Sequence, residues 1–140
     1  MEWIKDTLEF HTHGKGMIKI NSQLDALIRK LGIQEGMCYL FLQHVSCSLC
    51  ISEGFDPPAR TDVEAFYERL VPEREPWYEH TLEGDDDSPA HIKATLTQPG
   101  LTIPIDNGRA NLGVWQAVYL FEHRSQPQKR IIMVRCLKIC

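Results

Sequence analysis

The segment Asp106-Asn107-Gly108-Arg109 constrains the fold most. Apolar stretches flank it at residues 101–105 and 110–114. Asn and Gly both tolerate positive φ, and two such central residues make the type I′ turn that joins paired strands. The turn commits the last third of the chain to antiparallel pairing and excludes an all-helical fold. Residues 114–122 and 130–137 continue as strands, split by a polar Gln126-Pro127-Gln128 turn.

Upstream, the pattern is mixed. Residues 7–12 and 17–20 alternate as strands, with Gly14 and Gly16 turning between them. Asn21 or Ser22 caps a first helix, with Leu24, Leu27, Ile28 and Leu31 on one face and Gly32 closing it. Apolar strands at residues 37–42 and 48–52 bracket His44. Asp56-Pro57-Pro58 opens a second helix, since proline suits a first turn. Val63, Phe66, Tyr67 and Leu70 are its expected buried stripe. Pro72 and Pro76 end it. Ser88 and Pro89 start a short third helix that runs to residue 97. The reading is α+β: an antiparallel β-sandwich core with about three helices. At 140 residues the chain is expected to be a single domain.

The net charge of −4 is unevenly spread. Residues 73–87 hold seven acids against the single base Arg74, so the rest of the chain is slightly basic. No broad basic face for nucleic acid is expected. No apolar run reaches the roughly 18 residues of a membrane span, and no signal peptide is visible at the start. The five cysteines, Cys38, Cys47, Cys50, Cys136 and Cys140, lie in apolar or strand-like contexts. They read as buried thiols of a cytoplasmic protein. Cys47 and Cys50 form a CxxC, but on a strand the two face opposite sides.

Three histidines sit in unusual places: His44 between two apolar strands, and His80 and His91 flanking the acidic segment. Imidazole is a common metal ligand, and the fold could bring all three to one ion; the alternative is a core histidine with two on loops. A carboxylate beside His80 and His91 could act as a base or orient a ligating ring. Glu53 and Asp56, just past the His44 strand, are further candidates. Ser88 and the amides that follow it form a helix N-terminus that can hold an anion, with Lys93 one turn in. Ser46 and Ser48 lack a nucleophile elbow. His11 and His13 share a strand face with no acid nearby and are expected to be exposed.

Ordered stretches from His44 to Arg124 resemble one family. They include His44-Val45-Ser46-Cys47-Ser48-Leu49, Asp56-Pro57 with Arg60 and Asp62, and Arg69-Leu70-Val71-Pro72. Further along are Tyr78-Glu79-His80, Glu83-Gly84-Asp85-Asp86 and Pro89-Ala90-His91-Ile92-Lys93. The last are Leu101-Thr102-Ile103-Pro104, Gly108-Arg109, Leu112-Gly113-Val114-Trp115-Gln116 and Glu122-His123-Arg124. The chain resembles the YjbQ family, often labelled secondary thiamine-phosphate synthase enzymes. The resemblance implies a β-sandwich assembled as a homotrimer, with a site near subunit contacts that can hold a divalent metal, zinc or magnesium. Carried over, the metal positions are His44, His80 and His91, and the catalytic carboxylates are Glu53 and Asp86. Val45 stands where the family usually has threonine, and Gly54 where it usually has a polar residue.

A thiamine phosphate synthase-like transfer expels diphosphate and needs cations on that leaving group. A metal, the amides after Ser88, Lys93 and Arg109 are the expected sources, acting on a small phosphorylated ligand. The alternatives are a metal-dependent hydrolase of a small phosphorylated metabolite and a non-catalytic metal- or ligand-binding module.

Overall fold

Eleven elements in the computed structural model, which describes residues 1–140, build two antiparallel sheets and three helices. The chain runs β1 (Glu2–Thr12), β2 (Gly16–Lys19), α1 (Asn21–Lys30), β3 (Gly36–Leu42), β4 (Cys47–Glu53), α2 (Pro57–Leu70) and α3 (Asp87–Leu96). It continues through β5 (Gly100–Asp106), β6 (Arg109–Ala110), β7 (Gln116–Glu122) and β8 (Gln128–Lys138). The larger sheet has the order β1-β8-β3-β5-β6, and the smaller β2-β7-β4. The expected α+β class and antiparallel sheets are observed.

One core joins the layers. Leu40, Leu42, Ile103, Ile105, Ile132 and Val134 of the large sheet meet Leu49, Val118 and Leu120 of the small one. Leu24, Leu27 and Ile28 of α1 complete this core, as their helical spacing predicts. A second cluster covers the other face of the small sheet: Met17, Ala117, Tyr119 and Phe121, with Val63 and Tyr67 of α2 packed on it. Central strand β7 is therefore buried on both faces. Cys47 packs into the first cluster and Cys50 against the second, so the CxxC does face two ways. His11 and His13 are exposed.

The Asn107-Gly108 turn forms as read. Both residues have positive φ, 53° and 79°, and Asp106 pairs with Arg109 across it. Asn21 and Ser22 lie inside α1, with Ile20 at its N-cap position, and Cys140 is exposed rather than buried. Three further expectations change. The strand after the turn is only two residues long, because residues 111–115 leave the sheet before β7 begins. Phe66 and Leu70 of α2 are 57% and 52% exposed, since only Val63 and Tyr67 reach the sheet. The third helix starts at Asp87, not Pro89, with Asp86 at the N-cap position and Ser88 inside the first turn. No helix is long and apolar enough to cross a membrane.

Candidate metal centre

Asp87 opens α3, and His91 follows one helical turn later on the same face. His80 arrives on the loop between α2 and α3. Gly84, at φ +107°, turns that loop into the helix. His80 Nε2 lies 2.6 Å and His91 Nε2 3.0 Å from the same oxygen, Asp87 Oδ2. The donor atoms of all three side chains lie within 4.8 Å of one another. Asp87 is buried, whereas His80 and His91 are 51% and 36% exposed, so the group opens to solvent on its histidine side. Arg124 Nη1 donates to Asp87 Oδ1 at 2.6 Å. Burial pushes the Asp87 carboxyl up, but hydrogen bonding from His80 and the charges of His91 and Arg124 outweigh it. The net result is a pKa below the usual carboxylate range.

The protons in this group can be assigned in part. His91 Nδ1 lies 2.8 Å from the Val45 carbonyl, which can only accept, so Nδ1 carries hydrogen. A neutral His91 then turns a bare Nε2 toward an ionised carboxylate oxygen that also only accepts. The contact needs a second proton on the ring or a cation between the two atoms. An imidazole that donates one N–H to a backbone carbonyl and aims the other nitrogen at a carboxylate matches the orientation of a metal ligand. The donor set, two imidazoles and one carboxylate, fits a divalent ion.

His44 is near but differently used. Its Nε2 accepts the Ile131 N–H at 3.1 Å. Burial and the Arg130 charge hold its pKa below the ordinary value, and the neutral ring therefore carries its hydrogen on Nδ1. His44 and His91 line one cavity of about 490 Å³, walled by Val45, Cys47, Ala94 and Pro99.

The other expected site residues are dispersed. Asp86 Oδ2 accepts hydrogen bonds from Arg124 Nε at 2.9 Å and the Ser125 amide at 2.8 Å, fastening the segment after β7 to the start of α3. Glu53 accepts the Phe55 and Asp56 amides and closes the turn into α2. It lies at the far end of seven-residue β4 from the His44 loop, a span of roughly 20 Å. Lys93 is only 2% exposed and its ammonium pairs with Glu68 of α2. Arg109 is exposed beside the Asn107-Gly108 turn, at the opposite end of β5 from Gly100. Ser88 lines a small cavity of about 230 Å³ together with His80, Arg74 and Tyr78. Of the expected set, only His80 and His91 meet at one carboxylate, and that carboxylate is Asp87.

Sequence reasoning passed over Asp87, although its four-residue spacing from His91 was the available signal. It also passed over a buried network behind the His44 loop. Glu122 is fully buried; its Oε1 accepts from Thr12 Oγ1 at 2.6 Å and Arg130 Nε at 2.8 Å. Arg130 Nη2 bridges Glu122 Oε2 at 2.5 Å and Ser46 Oγ at 2.9 Å. The network thus holds the loop whose Val45 carbonyl orients His91. Beside it, buried His123 meets Ser48 Oγ through Nε2 at 2.9 Å. Burial and the Lys93 charge push the His123 pKa down to about 3, so the ring is neutral.

Comparison with known proteins settles the lineage. Residues 6–138 match the profile described as UPF0047 protein YjbQ-like. The chain belongs to this family. It is 43% identical over 130 residues to a UPF0047 protein of Synechocystis sp., covering 93% of this chain and 88% of that one. It is 36% identical to the UPF0047 protein YjbQ of Escherichia coli over 94% of this chain and 95% of the relative. A crystal structure of a conserved hypothetical protein from Thermus thermophilus superposes with a TM-score of 0.85 at 35% identity. That match covers 94% of this chain and 99% of the other. A YjbQ-like protein from Sulfolobus solfataricus, described as of unknown function, shares the fold at a TM-score of 0.84 and 20% identity over 98% of this chain and 99% of the other. None of these relatives is named for an activity.

Proposed function

We propose that this YjbQ-like chain is a metal-assisted enzyme acting on a small molecule, with the ion held by His80, Asp87 and His91. The observation that carries the reading is the His91 ring, whose Nδ1 is committed to the Val45 carbonyl while Nε2 faces Asp87 Oδ2. Two imidazole ligands favour zinc over magnesium, which prefers oxygen. A bound ion of this kind supplies a Lewis acid and lowers the pKa of water.

The chain's own residues divide the remaining work. Arg124 holds Asp87 by the oxygen that the histidines do not share. Val45 fixes the His91 tautomer. His44, neutral and with hydrogen on Nδ1, supplies a donor to a substrate oxygen in the cavity it shares with His91. The Ala94 and Pro99 walls exclude water around the apolar part of that substrate. These roles suit hydrolysis of a small ester, a phosphorylated metabolite included.

A thiamine phosphate synthase-like transfer, implied by the resemblance, needs several cations around diphosphate. Lys93 is paired with Glu68, and Arg109 sits at the far end of β5, so the hydrolytic reading is better supported. Homotrimer assembly belongs to the same proposal. Trp77 and Leu82, 68% and 96% exposed on the loop that carries His80, are side chains of the kind a subunit contact covers.

The test is elemental analysis of untagged protein dialysed against zinc, combined with a phosphate-ester panel. About one ion per chain, and an activity lost in His91→Ala, are expected. Protein that retains no metal, or an activity indifferent to the substitution, removes the reading. Thiamine phosphate formed from the two phosphorylated precursors would favour the transferase instead.

A further inference from the structure

A cavity of about 570 Å³ lies away from the centre described above. It opens between the β1–β2 turn and the first half of α2, and shares no lining residue with the His44–His91 cavity. Gly14 and Gly16 form its rim at φ +144° and +141°. A side chain at Gly16 would place Cβ 2.6 Å from Glu64 Oε2, so the turn backbone passes directly against α2.

Arg60 lines this cavity, and its guanidinium is unusual. It lies over the Tyr119 ring at 5.1 Å, and that ring is itself fixed by a hydrogen bond from its hydroxyl to the Glu53 carbonyl at 2.9 Å. Stacking holds the guanidinium plane and leaves its N–H edge available. Arg60 Nε is fully buried and has no hydrogen-bond partner in the chain. None of the chain's ion pairs includes Arg60. A buried donor left unpaired is costly, and an oxyanion that offers two acceptor oxygens is the group that satisfies a guanidinium most fully.

Two of the neighbouring charged side chains are already matched. Lys15 donates to Glu68 and Glu73. His11 meets Glu9. Glu64, the acid in the wall, uses Oε2 to accept the Met17 amide at 2.8 Å. Arg60 is thus the one arginine or lysine of this cavity without an acidic partner.

We propose that this cavity binds the oxyanion group of a small molecule, a phosphate or a carboxylate, through the guanidinium of Arg60. Thr61, also in the wall, adds a hydroxyl. The proposal does not depend on a metal at His80, Asp87 and His91.

Two-dimensional amide NMR of the whole chain tests it, with separate titrations of inorganic phosphate and acetate and a sodium chloride control at matched ionic strength. Saturable shifts at Gly14, Gly16 and Thr61 are expected with one of the two anions, and the tighter one names the class. Arg60→Gln should weaken binding at least tenfold. Arg60→Lys, which keeps the charge without the fork, should fall between the two. His91→Ala should titrate like the unaltered chain. Shifts that chloride reproduces, an Arg60→Gln affinity within twofold of the original, or a response lost only in His91→Ala would each overturn the proposal. The wild-type titration reads the site directly even if Arg60→Gln fails to fold.

Discussion

Asp87 and His91 stand one helical turn apart on α3, and Asp87 Oδ2 faces His91 Nε2 at 3.0 Å. The helix supplies the spacing, while two longer-range contacts supply the orientation. Arg124 holds the other Asp87 oxygen and the Val45 carbonyl holds the other His91 nitrogen.

The first prediction concerns Arg124, whose side chain hydrogen-bonds Asp86, Asp87 and the Glu83 carbonyl but neither histidine. Removing an outer partner of a ligating carboxylate typically weakens metal binding by about 10- to 100-fold. Arg124→Met should do so, since the guanidinium also fastens Asp86 at 2.9 Å. Competition against a chromophoric zinc chelator measures the loss. Unchanged zinc affinity would detach Arg124 from the centre.

How much of this centre was legible depends on the range of each contact. The Asn107-Gly108 turn was readable because its chemistry is local: both residues must take positive φ. The α1 stripe was readable because its period shows in the sequence. Only half of the α2 stripe was readable: Val63 and Tyr67 reach the small sheet, whereas Phe66 and Leu70 share the helical spacing but lie where no sheet covers them. His80 and His91 stood out as odd histidines. Choosing Asp87 over Asp86 required knowing that Ser125, 39 positions away, claims the Asp86 oxygen that Arg124 also holds, while both histidines face Asp87. Lys93 read as an anion-binding cation because nothing in its own segment reveals Glu68 beside it.

The second prediction tests the buried pair behind the His44 loop. Glu122 and Arg130 are 0% and 4% exposed, and Arg130 also reaches Ser46. Taking one partner from a buried pair leaves the other charge uncompensated, at a cost of about 3–5 kcal/mol. Glu122→Gln should lose stability in that range in urea unfolding. It should also loosen the His44–Ser46 loop, seen as faster amide exchange there. A loss under 1 kcal/mol, on the scale of an exposed pair, would show that the network adds little.

A third prediction returns to the hairpin. Gly108 has φ +79°, and an added Cβ would approach Gln34 Nε2 at 3.1 Å. Gly108→Ala should cost about 1 kcal/mol, the penalty for a side chain at left-handed φ. The turn lies at the far end of β5 from Gly100, so zinc affinity should not change. Thermal unfolding and the chelator competition read the two effects separately.

The last prediction concerns acid. Burial and the Lys93 charge depress the His123 pKa to about 3. A histidine in the unfolded chain takes its proton near 6.5. Between those values the unfolded chain binds a proton that the folded ring refuses, so unfolding gains as pH falls. The contribution of His123 is whole above about pH 6.5 and drains away toward pH 3. Asp86 and Asp87 are also held low: burial raises them, but Ser125 and Arg124 lower Asp86, and His80, His91 and Arg124 lower Asp87. Their share persists until pH drops below the ordinary carboxylate range near 4, and is lost as pH falls through their folded values. The interval from pH 6.5 to 4.5 therefore separates His123 from the aspartates. Urea midpoints across it should fall more steeply for the original chain than for His123→Gln. Parallel curves would mean that the ring takes its proton in the folded state without penalty.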